Sequence, residues 1–289
     1  MKRKFGGRKD ATPIRKTDAI HLMMPLIWPS RCDSTFLTSQ VLDLTKTKAY
    51  LDKMNAKNPG HKYTIFHIAV AAGLKMIMLR PKMNYFIAGK KTWHRNDITG
   101  SFVVKTDFSD DAEERVAIIH AEKDDTFETI HDKIRDTVTE CRTKAPADSS
   151  EEEFINFLNK LAHWIVRWVG RGLVFLDKRG RLPRSLEETD FYYASAAFTN
   201  FGSIQIQSGF HHLTNWGTTS LFFTVGEMGK LPFYNEDGSC EMRYAVELGL
   251  TADERIFDGY YLSQSLKLMY AFIENPELLD LPLAQEIPK

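Results

Sequence analysis

The residues best suited to chemistry in this chain fall in three short segments. Glu254-Arg255-Ile256-Phe257-Asp258-Gly259 sets two carboxylates and a guanidinium close together. An ordinary glutamate titrates near ~4.3, too low to take a proton from a thiol, but burial can raise it by several units and make it a general base or acid. Arg255 beside Glu254 offers the competing fate of an ion pair, which leaves a structural or ligand-binding carboxylate. His211 and His212 form the only adjacent pair among nine histidines, and imidazole exchanges protons near neutral pH. Neighbours on a strand point to opposite faces, so at most one of the two could line a given cleft while the other packs or meets solvent. Thr199, in Phe198-Thr199-Asn200-Phe201-Gly202, presents a hydroxyl donor; it is equally a residue that strands favour for packing.

A fourth group lies on a helix. His163, Arg167 and Arg171 recur every four residues, with Trp164 and Trp168 beside them. The plain reading is a solvated face next to a buried stripe; the sharper ones are recognition of an anionic group such as a coenzyme A phosphate, or docking at a membrane surface.

Several function classes are excluded or weakened. Thirty-eight Lys and Arg balance thirty-eight Asp and Glu, so no global field draws the chain to nucleic acid. Cys32, Cys141 and Cys240 are odd in number and widely spaced, which argues against a disulfide framework or a zinc site and for a reducing, cytoplasmic setting. The apolar stretch Leu161 to Leu176 is broken by His163, Arg167 and Arg171, so no transmembrane segment is expected. Basic residues Lys2, Arg3, Lys4, Arg8 and Lys9 precede no apolar run and suggest a flexible basic arm over residues 1–11 rather than a secretory signal. There is no Gly-rich phosphate loop, His-Glu-x-x-His or Gly-x-Ser-x-Gly motif.

The elements that must position these groups read as follows. Pro25 and Pro29 bracket a turn; Ser34 to Leu44 is a strand; a short helix ends near Asn55, before Asn58-Pro59-Gly60. Thr64 opens a helix with Ile65, Ile68, Ala69, Ala72, Met76 and Leu79 on its apolar face, closed by Arg80-Pro81. Strands follow at Met83 to Ile87, Ile98 to Asp107 and Val116 to His120, with a turn at Ala88-Gly89-Lys90-Lys91. Thr126 to Arg142 is an amphipathic helix, Ala145 to Glu153 a linker, and Phe154 to Asp177 another helix. Strands at Tyr192 to Thr199, Ser220 to Gly226 and Met242 to Thr251 and a final helix from Tyr260 to Glu274 complete the chain. Without a regular βαβ rhythm the pattern predicts an α+β fold in a single domain over 12–289.

In their order, three segments resemble the catalytic domain of the 2-oxo-acid dehydrogenase (dihydrolipoamide) acyltransferases and, more distantly, chloramphenicol acetyltransferase. They are the helix ending Arg80-Pro81 with Asn84 and Gly89, the run Phe198-Thr199-Asn200-Phe201-Gly202, and Asp253-Glu254-Arg255-Ile256-Phe257-Asp258-Gly259. The likeness extends over residues 12–280, including Asn275-Pro276-Glu277-Leu278-Leu279, and is similar to a free-standing subgroup with a His-His-Leu segment and an Asp-Glu-Arg start. It implies a chloramphenicol acetyltransferase-like mixed sheet flanked by helices. It further implies a coenzyme A thioester as co-substrate, no metal, and a homotrimer with active sites between subunits. The signature's histidine is the general base in that family, and Glu254 stands in its place; Thr199 matches the hydroxyl that stabilises the oxyanion. Asn200, Arg255, Asp258 and Gly259 match structural positions of the site, where the family's aspartate pairs with an arginine; Arg31 and Arg15 are the candidates for Asp258. With Glu254 a poor base, His211 or His212 could replace it. No lipoyl domain is recognised, so an acyl group from a lipoyl arm or other acyl carrier would arrive in trans.

Two functions are thus expected from the sequence. One is an acyltransferase acting on acyl-CoA with an unusual base; the other is a non-catalytic homologue serving as a binding or assembly subunit.

Overall fold

The computed structural model describes residues 7–60, 62–107, 109, 112–143 and 162–287. In chain order the strands are β1 (Ala11–Pro13), β2 (Thr35–Asp43), β3 (Tyr85–Ala88), β4 (Lys91–Arg95), β5 (Ile98–Lys105), β6 (Glu114–Ala121), β7 (Ala196–Asn200), β8 (Leu221–Val225), β9 (Gly229–Tyr234) and β10 (Cys240–Asp253). The α-helices are α1 (Ala19–Ile27), α2 (Thr45–Lys57), α3 (Ile65–Leu79), α4 (Phe127–Thr143), α5 (His163–Lys178), α6 (Arg184–Thr189) and α7 (Gly259–Glu274).

The main sheet runs β2-β10-β8-β7-β5-β6, with β9 paired to the first half of β10. Strands β5, β7 and β8 are mutually parallel and the remaining pairs antiparallel, giving the mixed sheet flanked by helices that the resemblance implies. A smaller sheet, β1-β4-β3, stands beside it. Its β3–β4 hairpin turns on Gly89 and Lys90, both with positive φ (58° and 61°), the geometry that matches strand twist in a two-residue turn.

Helix α3 begins where predicted: the Thr64 N–H donates to His67 Nδ1 at 3.1 Å, satisfying one of the helix's orphan amides. Its residues are buried almost all round, because the sheet lies under one face and α4 and α7 cover the others. Beneath it Phe198 and Phe223 stack at 5.4 Å, each contributing about 1.5–3 kcal/mol by burial. Lys75 sits in this apolar helix fully buried, its ammonium donating to the carbonyls of Leu278, Leu281 and Pro282 at 3.0, 3.0 and 2.9 Å. Three carbonyls replace its water, so the charge is tolerated and the segment after α7 is fastened to the core.

Some expectations change. The turn predicted between Pro25 and Pro29 is largely helix: Asp18 caps α1 by accepting the His21 N–H at 2.9 Å, and Pro25 lies within its C-terminal half. Of residues 1–11, residues 1–6 lie outside the described residues, but Arg8 is buried, and Ala11 begins β1, paired with β4. The basic run reads as solvated because sequence does not reveal the acids waiting for Arg8: Asp10 at 2.8 Å, Asp177 at 3.7 Å and Glu187 at 3.8 Å. The predicted linker 145–153 and the first part of the predicted helix 154–177 lie outside the described residues, and α5 is described from His163. Strand β9 was not anticipated; Pro232 is tolerated there because β9 is an edge strand.

Candidate active site

Thr199 and Asn200 lie on β7, Glu254 to Gly259 follow the end of β10, and His211 and His212 lie in the loop before β8, so the register of these strands fixes which can meet. Asp253 ends β10 with its side chain wholly out of solvent. Arg255 turns back on it through two bonds, Nε to Oδ1 at 2.8 Å and Nη2 to Oδ2 at 2.7 Å, and its Nη1 donates to the Trp28 carbonyl. Ser34 Oγ donates to Asp253 at 3.2 Å, and Arg31 Nε lies 3.6 Å away. Arg31 also donates to the carbonyls of Thr214, Gly217 and Ile87, so one guanidinium ties the loop before β8 to the β3–β4 hairpin. This buried carboxylate with two arginines is the anchor of the segment, and the sequence reading missed it: the only signal was Asp253 opening Asp-Glu-Arg.

The pairing of Asp258 with Arg31 or Arg15 is not made within the chain. Asp258 stands just before α7 and accepts the Tyr261 N–H at 2.8 Å, which holds its carboxyl below the usual range, with Lys82 at 3.8 Å adding to the effect. A carboxylate at that position satisfies an amide of the first turn, while Arg31, buried, is drawn to the buried Asp253. Glu254 begins the one-turn 3-10 helix after Asp253 and is partly exposed, with no hydrogen bond to its carboxylate among the described residues. At Gly259 an added Cβ would meet nothing within 4 Å, so packing inside one chain does not require the glycine.

Thr199 is at the far end. It pairs with Thr224 on β8, which is opposite Gly249 on β10. Since side chains alternate, Ala197, Thr199, Phe222, Thr224, Gly249, Thr251 and Asp253 share the face of the sheet away from α3, where Phe198 and Phe223 point. His211 stacks on Phe222 at 4.6 Å and lies 5.3 Å from Phe201, so it stands over this same face. Burial holds its imidazole below the ordinary value, with His212 adding to the effect; His212 itself is exposed. The segment carrying His211 is pressed onto the sheet: Thr224 Oγ1 donates to the Gly209 carbonyl at 2.6 Å, and a side chain at Gly226 would overlap the Gln207 carbonyl. Asn200 ends β7, its carbonyl accepting from Ser203 Oγ at 2.8 Å.

The chain therefore brings His211 and Thr199 to one face, about 7 Å apart along the strands. It does not bring Thr199 to Glu254. Thr199 stands on the row of Gly249, and Glu254 follows the end of β10 on the order of 15 Å further along, beyond the opposite end of β8.

Next to Arg255 opens a cleft of about 810 Å³. Arg31, Arg255, Lys90, Lys178 and Arg179 line it along with Trp216, and among the described residues Asp177 is its only acid. Such a cleft suits an anionic molecule with an apolar part. Among the described residues no group of His, Cys, Asp and Glu could hold a metal ion.

Residues 177–281 match the family model described as 2-oxoacid dehydrogenases acyltransferase (catalytic domain), a span that contains Thr199, both histidines and Glu254. No curated protein matches the chain. Among solved structures the chain resembles the dihydrolipoamide acetyltransferase of Azotobacter vinelandii, at 14% identity over 92% of this chain and 93% of that one, with a TM-score of 0.59. A truncated catalytic core of the 2-oxoacid dehydrogenase multienzyme complex from Thermoplasma acidophilum matches at 15% identity over 92% and 99%, with a TM-score of 0.54. A chloramphenicol acetyltransferase matches at 12% identity over 92% and 98%, also at 0.54. Nearly the whole chain thus has the fold of these acyltransferases.

Proposed function

We propose that the protein transfers an acyl group to or from a coenzyme A thioester, at sites completed by a neighbouring copy of the chain. The observation that carries this reading is the match to an acyltransferase catalytic domain over the stretch holding both Thr199 and the Glu254 segment. The cationic cleft supports it, because the phosphates of coenzyme A are recognised by arginine and lysine.

In the proposed reaction an acceptor thiol gives its proton to the Glu254 carboxylate, and the thiolate attacks the thioester carbonyl carbon. The carbonyl electron pair moves to oxygen, where the Thr199 hydroxyl donates to it. Collapse restores the carbonyl and expels the coenzyme A thiolate, which takes the proton back from Glu254. One chain keeps these two residues at opposite ends of β8, so Thr199 of one copy would face Glu254 of the next. A homotrimer is the arrangement the resemblance implies. Its contacts would cover the exposed apolar residues of α1 (Ile20, Leu22, Leu26) and of edge strand β2 (Phe36, Leu37, Val41).

A second assignment of the base rests on one observation: His211, not Glu254, shares a sheet face with Thr199 in the same chain. Both are tested by incubating the purified protein with acetyl-CoA and dihydrolipoamide and following release of free coenzyme A. Loss of about 10²-fold or more in E254Q with H211N little changed assigns the base to Glu254; the reverse assigns it to His211. Acetyl-CoA binding without turnover, unchanged in E254Q, overturns catalysis and leaves a non-catalytic binding subunit.

A further inference from the structure

Apart from Lys178, which lines the cleft together with Arg179, helix α5 has a composition that the acyl-transfer reading does not use. Along its sixteen residues the cations are His163 when protonated, Arg167, Arg171 and Lys178, followed by Arg179. Its one acid, Asp177, is buried against Arg8. Trp164 and Trp168 are each 65% exposed and Phe175 is 54% exposed, so these rings are left uncovered by the described residues.

At 100° per residue the exposed positions fall on one half of the helix. His163, Arg167, Lys178 and Arg171 occupy one quadrant of that half, and Trp164, Phe175 and Trp168 the next. Arg171 lies over the Trp168 ring at 5.4 Å and Arg179 over Phe175 at 3.5 Å, so the two quadrants are stitched together. Ile165, Val169, Leu173 and Leu176, which look the other way, are partly buried. The helix is fixed at its C-terminal end through the buried Asp177 and offers outward a ledge of aromatic rings beside a row of cations.

We propose that this ledge docks the protein on the surface of an anionic phospholipid bilayer. Tryptophan and phenylalanine seat at the level of the headgroups and upper acyl chains, and arginine and lysine beside them meet lipid phosphates. At 1.5 Å per residue α5 is about 24 Å long and too short and charged to span; it lies in the plane of the interface. Charge decides against a second copy as the occupant. A symmetric contact through this face would set Arg167, Arg171 and Lys178 against the same residues of its partner with no acid between them. The apolar surfaces suited to a second copy, on α1 and β2, belong to other elements.

Docking has a geometric corollary. Val174, Lys178 and Arg179 form one wall of the cleft that reaches Arg255, so a bilayer beneath α5 would lie at the mouth of that cleft.

The test uses the full chain and sedimentation with sucrose-loaded vesicles of phosphatidylcholine and phosphatidylglycerol at about three to one, against vesicles of phosphatidylcholine alone. The wild type is expected to pellet with the anionic vesicles, to release as salt rises, and to shift its tryptophan emission to the blue. W164S/W168S and R167E/R171E should each weaken binding by at least about tenfold while far-UV circular dichroism and gel filtration stay as in the wild type. These residues are exposed, so both variants should fold. Absence of binding to anionic vesicles by the wild type overturns the proposal, as does undiminished binding by either variant. A W164S/W168S protein that changes oligomeric state overturns it in favour of a protein-binding face.

Discussion

Asp253 and Arg255, two positions apart, close a two-bond carboxylate–guanidinium pair at 2.8 and 2.7 Å with both side chains out of solvent. Removing one partner leaves the other charged and buried. D253N should therefore cost about 3–5 kcal/mol in chemical denaturation, and adding R255M to it should recover part of that loss. A D253N protein as stable as the wild type would mean that the pair is solvated in solution.

A second expectation concerns acid. His67 is half-buried beside His131, with ring centroids 4.7 Å apart, and desolvation, with His131 adding to it, holds its imidazole down to about 3. The unfolded chain protonates this residue near pH 6.5 and the folded chain only near about 3, so the unfolded state binds more protons between those values. Stability is complete above about 6.5 and falls as pH drops, by about 2 kcal/mol between pH 7 and 5. Urea titrations of the wild type and H67Q at several pH values should show a flatter slope in the variant.

The loop carrying His211 offers a contrast of glycines. G226A puts a methyl group into the Gln207 carbonyl and should push residues 205–211 off the sheet, lowering the melting temperature and any acyl transfer together. G259A meets open space and should leave the unfolding free energy within about 1 kcal/mol of the wild type. If G259A nevertheless abolishes turnover, the open space is used by substrate or by another copy.

Shared sites make a stoichiometric prediction. E254Q and T199V, each inactive alone, should regain activity when unfolded together and reassembled. In a ring that joins Glu254 of one copy to Thr199 of the next, a random equal mixture restores about a quarter of the sites. Mixed samples no more active than either variant would put both residues' roles within one chain or remove them.

The regular elements were legible where one period dominated. The helix read from Thr64 to Arg80 is α3, and the one read from Tyr260 to Glu274 is α7. In both, apolar spacing and a capping residue agree. What escaped was set by partners distant in sequence. Lys75 draws no reading of its own from the sequence, because its three carbonyls lie about two hundred residues further on. Arg8 reads as part of a solvated arm because Asp177 and Glu187 come much later. Thr199 and Glu254 could be picked out as candidates from the sequence; their separation could not, since it depends on β7 running parallel and β10 antiparallel to β8. The plain reading of α5, a solvated basic face next to a buried stripe, leaves the tryptophans unplaced, and they are exposed; amphipathic spacing does not say which side of a helix the protein covers.

The opposite placement of Thr199 and Glu254 across β8 also bears on inheritance. In a ring of shared sites, a copy carrying both lesions would spoil the site on each side of it. One such allele expressed equally with a normal one would leave about a quarter of the sites instead of half, and two alleles with one lesion each would restore about the same quarter from none. The genetics of this protein should then follow the order of its strands.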